Sequence, residues 1–247
     1  RMLLGVFPQV APNLISYDPA YAYEIAAIVQ EGIRRMYEEG EDVFYYFTMM
    51  NENYPQPRMP DGVREGIING MYRFRRAGNR KGMCRAQLLG SGAILNEAVN
   101  AQEILAENYG VAADVWSVTS YKELHREALE CERWNMRHPH EAEKIPYVTQ
   151  CLGRQSGPII AATDYVKAIP DTVCRWMPRK ILALGTDGYG RSDGRESLRD
   201  FFEVDAKHIV LGTLSSLVWD GKMNADVPQR AMEELEISAD KPNPILM

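Results

Sequence analysis

Residues 185–194, GTDGYGRSDG, bring four glycines, two aspartates, an arginine, a serine and a tyrosine into ten positions. They follow the apolar run 181–184, which reads as a core strand. The segment is therefore placed at the carboxyl end of a sheet, where α/β proteins bind ligands. Asp187, Tyr189, Arg191, Ser192 and Asp193 are its candidate contacts for an anion, a metal or a partner. The competing reading is a solvated turn whose Asp and Ser side chains satisfy local backbone donors and cap the next helix. A second candidate is Gly90-Ser91-Gly92, between an expected strand and an expected helix. Small residues there let backbone N–H groups approach a phosphate. The third glycine of a dinucleotide fingerprint is missing, so a tight strand-to-helix turn is the preferred reading. Asn51-Glu52-Asn53-Tyr54 sets a carboxylate between two amides after another strand. Acid–base work is one reading, and a domain junction is the preferred one.

Other chemistry is poorly supplied. His138-Pro139-His140 lacks the spacing of a helical zinc pair, and no cysteine motif completes a site. Cys84, Cys131, Cys151 and Cys174 are scattered, as reduced thiols of a cytoplasmic protein would be. No Walker A sequence, nucleophile elbow or credible Ser–His–Asp set occurs. The net charge of −6 and pI of about 5.4 argue against a nucleic-acid surface. No apolar run reaches the roughly 20 residues of a membrane span. The start at Arg1 is read as processed or truncated rather than as a signal peptide.

The elements that must position these groups alternate. Asp18-Pro19 reads as an N-cap with proline at the first helical position, opening a helix over 20–39. Residues 43–50, VFYYFTMM, read as a strand buried on both faces. Three prolines in 51–60 impose a connector, and a short helix follows from Asp61-Gly62 to about Gly70. Strands are expected at 71–74, 86–89, 111–118, 158–162 and 181–184. Helices are expected at 93–108, 121–135, 164–176 (interrupted at Pro170), 195–202, 205–219 and 227–235. A basic turn is expected at 75–82, and 136–157 reads as irregular. Alternation of this kind predicts an α/β protein with a mostly parallel sheet. The division is 1–60 as the tail of one α/β domain, 61–81 as linker, and 82–247 as a complete smaller domain.

Several blocks together resemble one family. They are SYDPAYAYE (16–24), NENY (51–54), QLLGSGAIL (87–95), YGVAADVWSVTSYKEL (109–124), ECERWNMRHP (130–139), ATDYVK (162–167), LGTDGYGRSDGRESLRDFFEVDA (184–206) and ADKPNPIL (239–246). In that order they resemble the carboxy-terminal portion of the homodimeric bacterial pyruvate dehydrogenases, the thiamine-diphosphate-dependent first components of the complex. The resemblance implies a transketolase-like fold, with 1–60 ending the middle, pyrimidine-binding domain and 82–247 forming the C-terminal domain. It implies oxidative decarboxylation of pyruvate with thiamine diphosphate and magnesium, and acetyl transfer to a lipoyl-bearing acetyltransferase. It also implies a homodimer and partnership with N-terminal domains of the same subunit. This chain departs from the pattern in having no Gly-Asp-Gly followed by an asparagine ligand, because Thr186 precedes Asp187-Gly188. No catalytic, cofactor-binding or metal residue is therefore carried over, and the chain alone is expected to be inactive and to bind no cofactor. A non-catalytic interaction module of the same fold is the alternative. The loop 185–194 is expected at a domain or subunit boundary, and VFYYFTMM is expected to expose apolar surface unless a partner covers it.

Overall fold

The computed structural model describes residues 11–78 and 83–247. The segment 1–10 and part of the expected basic turn lie outside the described residues. A small unit comes first: β1 (Leu14–Tyr17), α1 (Ala22–Ile33) and β2 (Phe44–Phe47). β1 and β2 pair in parallel, Leu14 opposite Phe44 and Tyr17 opposite Phe47. One π-helical turn, Arg34–Glu38, extends α1. The short α2 (Arg64–Asn69) ends at Gly70, whose φ of +105° lets the chain reverse into β3 (Met71–Arg75).

The larger unit is a five-stranded sheet in the order β3-β5-β4-β6-β7, from β4 (Cys84–Gly90), β5 (Val111–Val118), β6 (Ile159–Ala162) and β7 (Ile181–Leu184). β3 runs antiparallel to β5, and the other neighbours are parallel. β5 is buried at every position, because it lies inside the sheet with helices on both faces. One face is covered by α3 (Ile94–Asn108) and α8 (Ala206–Trp219), through residues such as Leu95, Leu105, Val210 and Leu214. The other face is covered by α4 (Tyr121–Arg137) and α5 (Tyr147–Leu152), through Leu124, Ala128, Val148 and Leu152. The remaining helices are α6 (Ala168–Asp171), α7 (Arg195–Phe201) and α9 (Asp226–Glu234). Caps work as their residue types dictate. Ser120 accepts from the Glu123 N–H at 3.0 Å, and Asp205 from the His208 N–H at 3.1 Å. No described helix is long and apolar enough to cross a membrane.

Three expectations are corrected, and one strand is added to those expected. Asp18 is not the cap of α1. The N-cap is Tyr21, and Glu24 turns back to accept from the Ala20 and Tyr21 N–H groups. β1 has only four residues, too few to show a period, and was not foreseen. α5 lies in the stretch read as irregular, and the fold makes a helix of it by burying Val148 and Leu152. β2 is half-exposed rather than buried on both faces, with Phe44 48% exposed and Met49 just beyond it 73% exposed. The reason is that the described sheet it belongs to has only two strands.

Candidate functional site

The sheet positions a site through the carboxyl ends of its parallel strands. β4 leads into Gly90-Ser91-Gly92, β6 into Thr163-Asp164-Tyr165, and β7 into Gly185-Thr186-Asp187. From β4 the sheet continues to β5 on one side and to β6 and β7 on the other. The crevice between the ends of β4 and β6 is thus the topological switch point, where such sheets take ligands. Here it is filled from within. Asp18, just past β1, accepts the backbone N–H of Gly92 on its carbonyl at 3.0 Å and the Thr48 hydroxyl on its carboxylate. Its own N–H donates to the Thr119 carbonyl at 2.7 Å. A Cβ on Gly92 would lie 2.8 Å from the Asp18 carboxylate, so glycine is the residue that admits it. The Ser91 hydroxyl donates to Thr163 at 3.0 Å. The turn therefore holds the protein's own carboxylate at the start of α3.

Asp18 as a residue is half-buried, and its carboxylate is the part turned inward, toward Thr48 and Gly92. Desolvation raises its pKa from 3.8 to about 6, against the opposing hydrogen bonds of Thr48 and Ser91. The raised folded value means that this carboxyl favours folding when protonated. Its contribution is complete below about pH 4 and is lost as pH climbs through 6. The displacement from 3.8 to about 6 corresponds to about 3 kcal/mol. Urea titrations of Asp18→Asn between pH 4 and 8 are expected to lack most of this loss. A variant whose pH profile parallels the wild type would refute the assignment.

Outside the plug lies an open cleft of about 270 Å³, lined by Glu52, Tyr165, Thr186, Arg195 and Arg199 among others. Arg199, from α7, is its centre. It bonds Glu52 at 2.5 Å and Glu97 of α3 at 3.1 Å. Burial raises the Glu97 carboxyl above its ordinary value, opposed by the Ala206 N–H and by Arg199. Arg195 donates to the Asn51 side chain at 2.5 Å. The Tyr54 hydroxyl donates to the Ala20 carbonyl. The structure therefore brings NENY against the helix that follows the 185–194 loop. Its charges are paired, which gives a junction rather than an acid–base pair.

The five loop residues do not converge. Asp187 accepts from the Lys167 N–H at 3.0 Å and faces its ammonium at 3.9 Å. Arg191 donates to the Met247 carbonyl and lies 5.3 Å from the Phe201 ring. Asp193 accepts from the Gly194 N–H at 2.6 Å. Ser192 is exposed, and Tyr189 at the tip is 94% exposed. His138 stacks on Trp134 with ring centres 3.7 Å apart, and His140 is exposed. Asp200, Asp205 and His208 are the one acid–imidazole group among the described residues close enough to share a metal. Lys207 at 2.6 Å and Lys241 at 3.5 Å already neutralise Asp200, and His208 bonds Asp205 at 2.6 Å.

Sequence reasoning missed the buried junction around Glu24. Its carboxylate accepts from the Tyr72 hydroxyl at 2.6 Å and the Ser117 hydroxyl at 2.7 Å, as well as from two backbone N–H groups. Burial raises its pKa. The available signal was an acid one helical turn before Ile28, on the stripe that α1 buries.

A family model for the transketolase-like C-terminal domain matches residues 70–205, more than half of the chain. The chain belongs to this transketolase-like C-terminal domain family. The model for the middle domain of the pyruvate dehydrogenase E1 component matches residues 6–57. The pyruvate dehydrogenase E1 components of Pseudomonas aeruginosa and Escherichia coli are each 48% identical to this transketolase-like chain over 95% of its length. The chain spans 26% of each, about a quarter of these curated relatives. The transketolase of Leishmania mexicana superposes on 88% of the chain and 27% of its own, with a TM-score of 0.60 at 14% identity. That likeness supports the mostly parallel α/β fold expected from the alternation of elements.

Proposed function

We propose that this chain serves as the C-terminal part of a pyruvate dehydrogenase E1 component and acts there by packing, dimerisation and walling the intact enzyme. The observation that carries the reading is the order of the two matches, an E1 middle domain followed by a transketolase-like C-terminal domain. Under this reading the whole enzyme oxidatively decarboxylates pyruvate and passes the acetyl unit to a lipoyl-bearing acetyltransferase, in the cytoplasm. Thiamine diphosphate, with magnesium on its diphosphate, supplies the electron sink for that decarboxylation when bound. The described residues of this chain do not fit that group. The switch-point crevice carries Asp18, and the acid cluster carries two lysines. No step of the chemistry is assigned to these side chains.

The reading keeps 1–60 as the tail of the middle domain, 61–81 as connector and 82–247 as the C-terminal domain, the connector supplying edge strand β3. The half-exposed β2 and the apolar residues beyond it suit completion by further strands of the same subunit, because a two-stranded sheet alone is marginal. Asp187, Tyr189, Arg191, Ser192 and Asp193 are read as a contact loop for the dimer partner or the rest of the subunit, supported by the exposed Tyr189 ring.

The test is a pyruvate–ferricyanide assay with thiamine diphosphate and magnesium. It compares the 247-residue chain alone with the same chain joined to the other three quarters of an E1 subunit. Turnover is expected only in the joined form. Turnover by the chain alone refutes the scaffold role. A native polypeptide with a mass of only 28.0 kDa would favour the interaction module instead.

A further inference from the structure

Beneath the switch point lies a narrow pit of about 30 Å³, lined by Asp18, Ser91, Tyr121, Lys122, Thr163 and Tyr165 among others. Tyr121 is 5% exposed, and its hydroxyl has no hydrogen-bond partner within the protein. A buried hydroxyl left in that condition is costly, on the order of 1–3 kcal/mol. Tyr121 and Asp18 line the same pit, and burial raises the Tyr121 pKa, so the hydroxyl keeps its proton. The pit exceeds the roughly 10–15 Å³ that one water needs, and a buried water needs two to four polar partners. We propose that this pit is a specific site for one ordered water, which accepts from the Tyr121 hydroxyl and donates to the Asp18 carboxylate and to the Ser91–Thr163 hydroxyl pair.

Water suits the site better than a small cation. The orphan hydroxyl carries a proton that needs an acceptor, and a cation offers none. The positive end of the α3 dipole faces the same crevice. Lys122 lines the pit as well, but its ammonium is committed elsewhere, to the Ala11 carbonyl at 2.8 Å and to that of Leu14. The bridge would join three parts of the chain: Asp18 after β1, Ser91 before α3, and Tyr121 at the start of α4. On this proposal the position that sheets of this kind offer to a ligand belongs to an internal joint, independently of what the whole protein catalyses.

Crystals of the full chain that resolve ordered solvent test the site. A solvent peak within hydrogen-bonding distance of both Tyr121 Oη and the Asp18 carboxylate is expected. It should vanish in Tyr121→Phe while Asp18 keeps its place. An empty pit, a direct Tyr121–Asp18 hydrogen bond, or a peak unchanged in the variant overturns the proposal. An anomalous peak after exchange into rubidium also overturns it, in favour of a monovalent cation. If the variant does not fold, a water-to-hydroxyl nuclear Overhauser contact at Tyr121 in the wild type is the expected positive. Its absence counts against the site.

Discussion

Glu24→Ala is expected to destabilise the protein by roughly 3–5 kcal/mol at neutral pH, and Glu24→Gln by clearly less. The carboxylate is fully buried and holds four donors from three segments. Alanine leaves the Ala20 and Tyr21 N–H groups without an acceptor at the start of α1, where they cannot reorient. The two hydroxyls suffer less, since Tyr72 can keep its 2.5 Å contact with Tyr23 and Ser117 can rotate. Glutamine keeps an oxygen for the backbone pair and loses only part of the network. The same carboxylate bonds the first unit to strands β3 and β5 through Tyr72 and Ser117. Hydrogen exchange of α1 should therefore accelerate more than that of β5. An alanine variant within about 0.5 kcal/mol of wild type in urea denaturation, below the ~1–3 kcal/mol of a single orphaned donor, would show that the network is incidental.

The second large effect is expected at Gly157, two residues before β6. Its φ is +87°, and a Cβ there would sit 1.8 Å from the Arg85 carbonyl oxygen of β4. No rotamer relieves that overlap, because both partners are backbone. Gly157→Ala must either shift β6 or break the register in which the Gln87 N–H donates to the Pro158 carbonyl at 2.9 Å. Left-handed strain of about 1–2 kcal/mol and overpacking of about 1–3 kcal/mol sum to roughly 3 kcal/mol or more. For a protein of this size that lowers Tm by roughly 6–12 °C. Gly110→Ala is the control, with φ of +63° and nothing within 4 Å of the added carbon. It should show the backbone strain alone. Equal melting temperatures for the two variants would contradict the steric account.

Sequence reading succeeded where burial acts along one element. The run 111–118 is apolar almost throughout, and it forms a fully buried interior strand at those residues. The run 181–184 also forms its strand, though as the half-buried edge of the sheet rather than in its core, and Ser120 caps its helix as its type and place predict. Reading failed where an element is too short for its pattern to repeat, as in β1 and α5. It also failed at Asp18. The Asp-Pro pair has the form of a helix start, and only the fold reveals that its carboxylate is committed to Thr48 and Ser91 and its main-chain carbonyl to Gly92, far along the chain.

The sequence by itself determined the alternation of strand and helix, the mostly parallel sheet, and membership of a family, since these follow from local periodicity and ordered motifs. Only the tertiary structure decided what the polar residues do. NENY, GSG and the buried acids could each have served a ligand, and their role depends on partners dozens of positions away. Arg199 reaches Glu52, Ser117 reaches Glu24, and Asp18 enters the crevice beside Gly92. A carboxylate's chemistry is set by what surrounds it in space, and no spacing along a chain encodes that neighbourhood.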